Sequence, residues 1–392
     1  MQYFHIIQAL CRTALSQRNE ALKHQVERLR DAFVKAGEKK EAKILSDLLS
    51  LENKSIEMTP SRLHRSQAIF AGEVLTANTP LPVNKETSTP LAEVIFGDKL
   101  PIHSPIFNET LIQAIDSILD EWKNLEKIAK VDIEPVRSCL IYGAPGTGKT
   151  QLALWMARKL GLPVVMARLD GLVSSFLGTT SRNIGTLFNF ADNYRCLLLL
   201  DEFDAIAKFR ADPQEVGEIK RVVNTLLQSL DARKNRGFTI GITNHEGLLD
   251  PAVWRRFDAQ IEVPRPSFEA RVEIIKRELP PVNLKETQIK FLSWLLEGGT
   301  GADVERLSRW IKKSYAVSKD FAHEFLNLAQ QFIFLNGNRV GDGQILHVMG
   351  DKDKLILELK RGLNFTQTDI AELLGQNKST ISRAMRKQNK SE

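Results

Sequence analysis

Residues 139–150 read CLIYGAPGTGKT, and this stretch decides the fold. Its first four residues are apolar, as in a strand buried on both faces. The next eight fit G-x-x-x-x-G-K-[ST], from Gly143 to Thr150. Glycines in such a turn let backbone N–H groups converge on phosphate oxygens, where a side chain would obstruct them. Gly143, Ala144, Pro145, Gly146, Thr147 and Gly148 form the cradle. Lys149 brings a cation to the terminal phosphates and Thr150 a hydroxyl for Mg²⁺. The helix that starts at Lys149 points its positive dipole end at the loop. Strand, glycine turn and helix in this order imply a nucleotide, and the motif type implies ATP.

Working downstream, the alternation repeats. PVVMARLD (163–170), CLLLLDEFD (196–204) and FTIGITN (238–244) read as strands, with helices at 149–160, 179–192 and near 215–231. Apolar strands alternating with helices predict an α/β fold, a parallel sheet covered by helices on both faces. A carboxylate at the tip of a buried strand is costly unless a cation meets it. Asp201 is therefore expected on Mg²⁺ and its water shell, and Glu202 is expected to polarise the attacking water. The chemistry that follows is hydrolysis of ATP to ADP and phosphate.

After Pro264 and Pro266, four helical stretches (267–279, 285–297, 301–318 and 320–335) suit a small helical lid. The break GNRVGDGQ (337–344) leads to a last helical segment at 351–390. Upstream, residues 1–52 are helical in pattern, with Phe4, Ile7, Cys11, Leu15, Leu22, Val26, Leu29, Phe33 and Ala36 at helical steps. Gly37 interrupts, and a second stripe follows through Ala42, Leu45, Leu48 and Leu49. Such a module either docks on its own chain or recruits a partner. Pro60, Pro80, Pro82 and Pro90 make 53–101 read as a linker. The expected domains are thus 1–52, 53–101, 102–265, 266–340 and 345–392.

The 392 residues are 43% hydrophobic and 26% charged, as in an ordinary soluble globular protein. A formal charge of +6 permits anionic partners without demonstrating one. Cys11, Cys139 and Cys196 show no paired spacing, which points to a reducing compartment without disulfides. The N-terminus lacks the cationic start and apolar stretch of a signal peptide. No run approaches the ~20 apolar residues of a membrane span, so no membrane association and a cytoplasmic location are expected.

The stretch 103–318 closely resembles the AAA ATPases of the classical group that includes spastin, katanin and the cell-division-cycle unfoldases. Five segments match in order: GAPGTGKT, LLLLDEFDAIAKFR (197–210), GEIKRVVNTLLQSLD (217–231), TNHEGLLDPAVWRRFD (243–258) and GTGADVERLS (299–308). The resemblance implies further roles. Asn244 matches the first sensor, which orients the attacking water. Arg255 and Arg256 match the paired arginine fingers that reach a neighbouring subunit's nucleotide. Relatives separate those arginines by Pro-Gly; here they are adjacent, and Arg255 is the favoured contact. Gly301 and Ala302 match the lid-helix start beside the adenine. SSFLG (174–178) falls where the family carries its first pore loop, so Phe176 and Leu177 would line a ring's channel; a core phenylalanine is the alternative. Many relatives follow that loop with Glu-Ser-Glu, where this chain has Thr179-Thr180-Ser181.

Residues 364–388, NFTQTDIAELLGQNKSTISRAMRKQ, resemble the helix-turn-helix DNA-binding domains of bacterial regulators. Ala371, Gly375 and Ile381 fall where that motif needs a small residue, a turn glycine and an apolar anchor. Leu373, Leu374 and Met385 would complete its core, with Leu355, Ile356 and Leu359 on a supporting helix. On the second helix Ser379, Thr380, Ser382 and Arg383 would face a groove, and Lys378, Arg386 and Lys387 would meet phosphates. Such modules also serve as protein contacts. The resemblance implies a prokaryotic or phage source.

The leading expectation is a ring-forming, hexameric Mg-ATPase that pulls on or remodels a protein and is placed on DNA by its C-terminus. AAA ATPases of this layout also resemble those paired with a subtilisin-like protease, which suggests a protease partner. The rival reading is a DNA-binding regulator that uses ATP as an assembly switch. A scaffold that binds ATP without hydrolysing it is a third, opposed by the intact Glu202 and Asn244.

Overall fold

The computed structural model describes residues 20–38, 42–46, 72–172, 177–204, 216–233, 237–249, 251–317 and 325–388. The chain divides into two compact units, residues 1–68 and 69–392. Within the first, α1 (Glu20–Lys35) and a helical turn at 42–46 are described, with Val26, Phe33, Ala42 and Leu45 buried. These four belong to the two stripes read from the sequence, on either side of Gly37. Of the other stripe residues, Leu22 lies on α1, Leu29 is half-buried and Ala36 is exposed, whereas Phe4, Ile7, Cys11, Leu15, Leu48 and Leu49 lie outside the described residues.

The second unit is built on a six-stranded sheet in the order β1-β3-β4-β5-β2-β6. Its strands are β1 (Ala92–Ile95), β2 (Ser138–Tyr142), β3 (Val164–Ala167), β4 (Leu197–Leu200), β5 (Phe238–Thr243) and β6 (Ala259–Glu262). Strands β3, β4, β5, β2 and β6 run parallel, and β1 joins β3 antiparallel. Every residue of β4 and β5 is buried, as strands covered on both faces must be. Side chains alternate between two cores: Leu198 and Leu200 enter one, Leu197 and Leu199 the other.

Helices α2 (Glu109–Lys123) and α3 (Lys149–Leu160) supply the core on one face. Helices α4 (Leu177–Asn193) and α5 (Val216–Arg233) supply it on the other. The expected fold class therefore stands with one amendment, a mixed rather than purely parallel sheet.

The stretch expected as a linker differs most from its reading. Residues 72–101 are part of the second unit: Leu75, Leu91, Ala92 and Leu100 are buried, and β1 pairs Ala92 with Ala167 and Ile95 with Val164. A four-residue edge strand after Pro90 carries too few alternating positions to be recognised. Its pairing is decided by the partner strand rather than by local propensity. Strand β6 escaped for the same reason, since AQIE buries only Ile261.

Helices α6 (Phe268–Glu278), α7 (Glu286–Leu295), α8 (Gly301–Val317), α9 (Phe325–Asn336), α10 (Asp342–Met349), α11 (Lys352–Leu363), α12 (Gln367–Leu373) and α13 (Lys378–Gln388) complete the unit. One continuous apolar core runs from Val272 to Met385. The segment expected as a separate domain at 345–392 thus shares its core with the preceding helices. Lys285, the residue that caps the start of α7, forms an ion pair with Glu372 of α12. The glycine-rich break at 337–344 ends in the start of α10, because Gly341 is followed by the apolar positions Ile345 and Val348, both of which face that core.

Candidate functional site

In an open α/β sheet, ligands bind beyond the carboxyl ends of the strands. Strands β2, β5 and β4 are neighbours, so the sheet order brings Gly143, Asn244 and Asp201 to one rim. Tyr142, Thr243 and Leu200 end those three strands, and each site residue follows within one position.

The phosphate loop is shaped by left-handed glycines. Gly143 has φ +137°, Gly146 +78° and Gly148 +98°. A Cβ at Gly143 would collide with the carbonyl oxygen of Val263. Lys149 is only 5% exposed, and its Nζ donates to the Gly143 and Ala144 carbonyls at 2.8 Å each. Burial pushes its ammonium below the ordinary lysine value, against the pull of Asp201, Asp204 and Glu246. A buried cation whose hydrogen bonds go to neutral carbonyls is chemically suited to an anion. The Thr147 hydroxyl donates to the Ala144 carbonyl at 3.0 Å and stiffens the turn. Pro145 lines the cleft itself.

The Thr150 hydroxyl donates to Asp201 Oδ2 at 2.8 Å, across 51 positions of sequence. A hydroxyl and a carboxylate side by side are hard oxygen ligands of the kind Mg²⁺ takes, alongside phosphate oxygens and water. These residues fit a magnesium nucleotide. Glu202 follows with φ +50°, a left-handed conformation costly for a side-chain-bearing residue. The Asp201 carboxylate accepts from the Glu202 amide at 2.8 Å and holds it there. Strain of this kind gathers at functional sites because the surroundings over-determine it.

These groups line one cleft of about 780 Å³, together with Asn244, Gly301 and Ala302. The Ala302 amide donates to the Gly146 carbonyl at 3.0 Å, so the start of α8 sits directly on the phosphate loop. That start is fixed by a capping box: the Thr300 amide and hydroxyl donate to Asp303 Oδ2 at 2.9 and 2.7 Å. Arg339 Nη1 adds an ion pair to Asp303 at 2.7 Å. Burial raises the Asp303 carboxyl, but Thr300 and Arg339 outweigh it and leave the group below its ordinary value.

The rest of the lining was invisible in the sequence. Pro101, Ile102, His103, Pro105, Ile106 and Phe107 form one wall, and Gln151, Ile242, the α6 residues Ile274, Arg277 and Glu278, and Glu305 of α8 also line the cleft. The wall segment has no regular structure and two prolines, so it reads as connecting chain. The α6 residues look like ordinary positions of an amphipathic helix. No signal in a single sequence distinguishes them.

Arg255 and Arg256 follow the short helix Pro251–Trp254, are exposed, and lie outside this cleft. Arg256 Nη1 pairs with Asp231 Oδ2 at 2.9 Å, whereas Arg255 makes no side-chain hydrogen bond or ion pair among the described residues. Phe176 lies outside the described residues, and Leu177 is the first residue of α4. On α13, Lys378, Ser379, Thr380, Arg383 and Arg386 are exposed and Ser382 is half-buried, while Ile381, Ala384 and Met385 are buried. Lys387 lies on the same helix. Gly375 before it has φ +62°, a turn conformation suited to glycine.

The profile of the "ATPase family associated with various cellular activities (AAA)" matches residues 139–265. The AAA family ATPase y4kL of Sinorhizobium fredii is 32% identical over 257 residues, which cover 64% of this chain and 78% of that protein. The chain belongs to the AAA family. Its relatives include the proteasome-activating nucleotidase of Thermococcus onnurineus, 33% identical over 213 residues covering 51% of this chain and 54% of that protein. That of Archaeoglobus fulgidus is 37% identical over 190 residues, covering 46% and 48%. The chain thus spans about half the length of these nucleotidases. Among solved structures, a FIGL-1 AAA domain is matched over 69% of this chain and 92% of that one, at 19% identity and a TM-score of 0.49.

Proposed function

We propose that this AAA ATPase hydrolyses Mg-ATP in the cleft between its sheet and its lid, and does so as a ring that remodels a protein. The observation that carries the reading is the convergence of Lys149, Thr150, Asp201, Glu202 and Asn244 on one rim. Bound Mg²⁺ supplies charge neutralisation for the phosphates. Lys149 gives up its carbonyl partners to meet phosphate oxygens, a charge-assisted exchange that favours the anion. The Glu202 carboxylate takes the proton of the attacking water, and the Asn244 amide orients that water.

Arg255 and Arg256 lie outside their own cleft, which favours action on a neighbour's nucleotide. A finger supplied in trans is worth roughly 10³–10⁵ in rate. Turnover per subunit is then expected to rise with protein concentration. Lys149→Ala and Arg255→Ala proteins, each inactive alone, should regain phosphate release when mixed, because one offers a finger and the other an intact cleft. Mixtures that stay silent, or a rate per subunit independent of concentration, would remove the ring from the account.

Protein remodelling is supported by kinship with nucleotidases that, as their name states, activate a proteasome, and a protease partner fits the same reading. Phe176 and Leu177 are the residues we assign to substrate contact. The rival reading, a DNA-binding regulator switched by ATP, is favoured by α13, which exposes Lys378, Arg383 and Arg386 and carries no acid. Fluorescence anisotropy with duplex DNA decides it. DNA contact through α13 predicts weaker binding for Arg383→Ala and a salt-dependent affinity; equal, undetectable binding by both proteins rejects it.

A further inference from the structure

The phosphate loop takes the charged end of a nucleotide, which leaves the rings to the remainder of the cleft. That remainder is walled by residues 101–107, and the wall is largely apolar. Ile102 is 71% exposed beside it, Ile106 packs against the helical core, and Phe107 packs against the sheet core and approaches Gly148. Such a surface suits a flat, largely apolar ring system. Yet the wall has no helix or strand of its own to hold it in shape.

What spans the gap is Arg277 of α6. Its Nη1 donates to the Ser104 carbonyl at 3.0 Å, across 173 positions of sequence, and its Nε lies 3.4 Å from Glu278 Oε1. Arg277, Glu278 and the residues on both sides of Ser104 all line the cleft. On the phosphate side, the lid is joined to the sheet by the backbone bond from Ala302 to Gly146. On the other side, the join is a side chain, and it grips the carbonyl at the middle of the wall.

We infer that Arg277 is a positioning residue for the nucleoside: it holds segment 101–107 as the surface on which the base rests. This rests on the reading of the cleft as an ATP site. The role is tested by comparing ligands with and without a base. In Arg277→Ala, KM for ATP and the inhibition constant of ADP should both rise about tenfold, the size expected for one charge-assisted hydrogen bond. The rate constant kcat should stay within about twofold, since the chemistry lies at Glu202. Inhibition by tripolyphosphate, which has no base, should not change.

An unaltered KM for ATP would overturn the inference. So would an equal weakening of tripolyphosphate, which would mean that the whole cleft had loosened. Wild-type protein that turns over no ATP while remaining folded would overturn the ATP reading and this role with it.

Discussion

The two ends of the cleft are built in opposite ways. The phosphate end is compact in sequence: eight consecutive residues, with Asn244 at the tip of the neighbouring β5, and Asp201 and Glu202 at the tip of β4 beside that. The other end is assembled from 101–107, from α6 and from the start of α8, segments that meet only in the finished fold. At the first end the backbone does the binding, so its requirements appear as glycines and a fixed spacing. At the second, side chains of ordinary appearance are placed by packing. The difference teaches where substitutions should be fatal and where they should only tune affinity.

The largest effect on nucleotide binding is expected at Gly143. Its φ of +137° and the nearby Val263 carbonyl leave no room for a methyl group. Gly143→Ala should weaken nucleotide binding at least ~100-fold, since a strained turn of this type costs of order 1–3 kcal/mol before any clash is added. Isothermal titration with ADP measures it, and near-normal affinity would break the claim that the loop's backbone sets this end.

A smaller effect is expected at Asp303, whose capping box fixes the start of α8 on the phosphate loop. Its carboxyl is held below the ordinary value in the folded chain. A group lowered in this way stabilises the fold above its unfolded value and loses that contribution as pH falls through its folded value. Asp303→Asn should therefore lower stability by about 1 kcal/mol near neutral pH, the usual worth of a cap. The gap from wild type should begin to narrow near pH 4, about the value of an unperturbed aspartate, and close only as pH falls through the lower folded value, where both proteins lack the charge. Denaturant titrations across that range check the sign; a gap that widens in acid would contradict it.

The same contrast explains what could be read in the sequence. The central strands were legible because LLLL and FTIGIT are apolar throughout and each runs into a helix. β1 was lost because its four residues follow a proline-rich stretch, and its place is set by β3. The helices after 340 were legible as helices but not as part of the lid. Their apolar faces show that something is covered without saying what, and here Leu355, Ile370 and Met385 share the core of Phe291 and Phe332. Arg277 was illegible for a different reason. A surface arginine late in a helix is the commonest of residues, and only the approach of Ser104 gives it a task.

The account stands on hydrolysis at Glu202, and Glu202→Gln tests that most directly. The amide keeps the size of the side chain and removes the base. ATP affinity by titration should remain within a few-fold of wild type, while phosphate release should fall by roughly 10²–10⁴, the usual worth of general base catalysis. Release at the wild-type rate from the variant would contradict the assignment of Glu202.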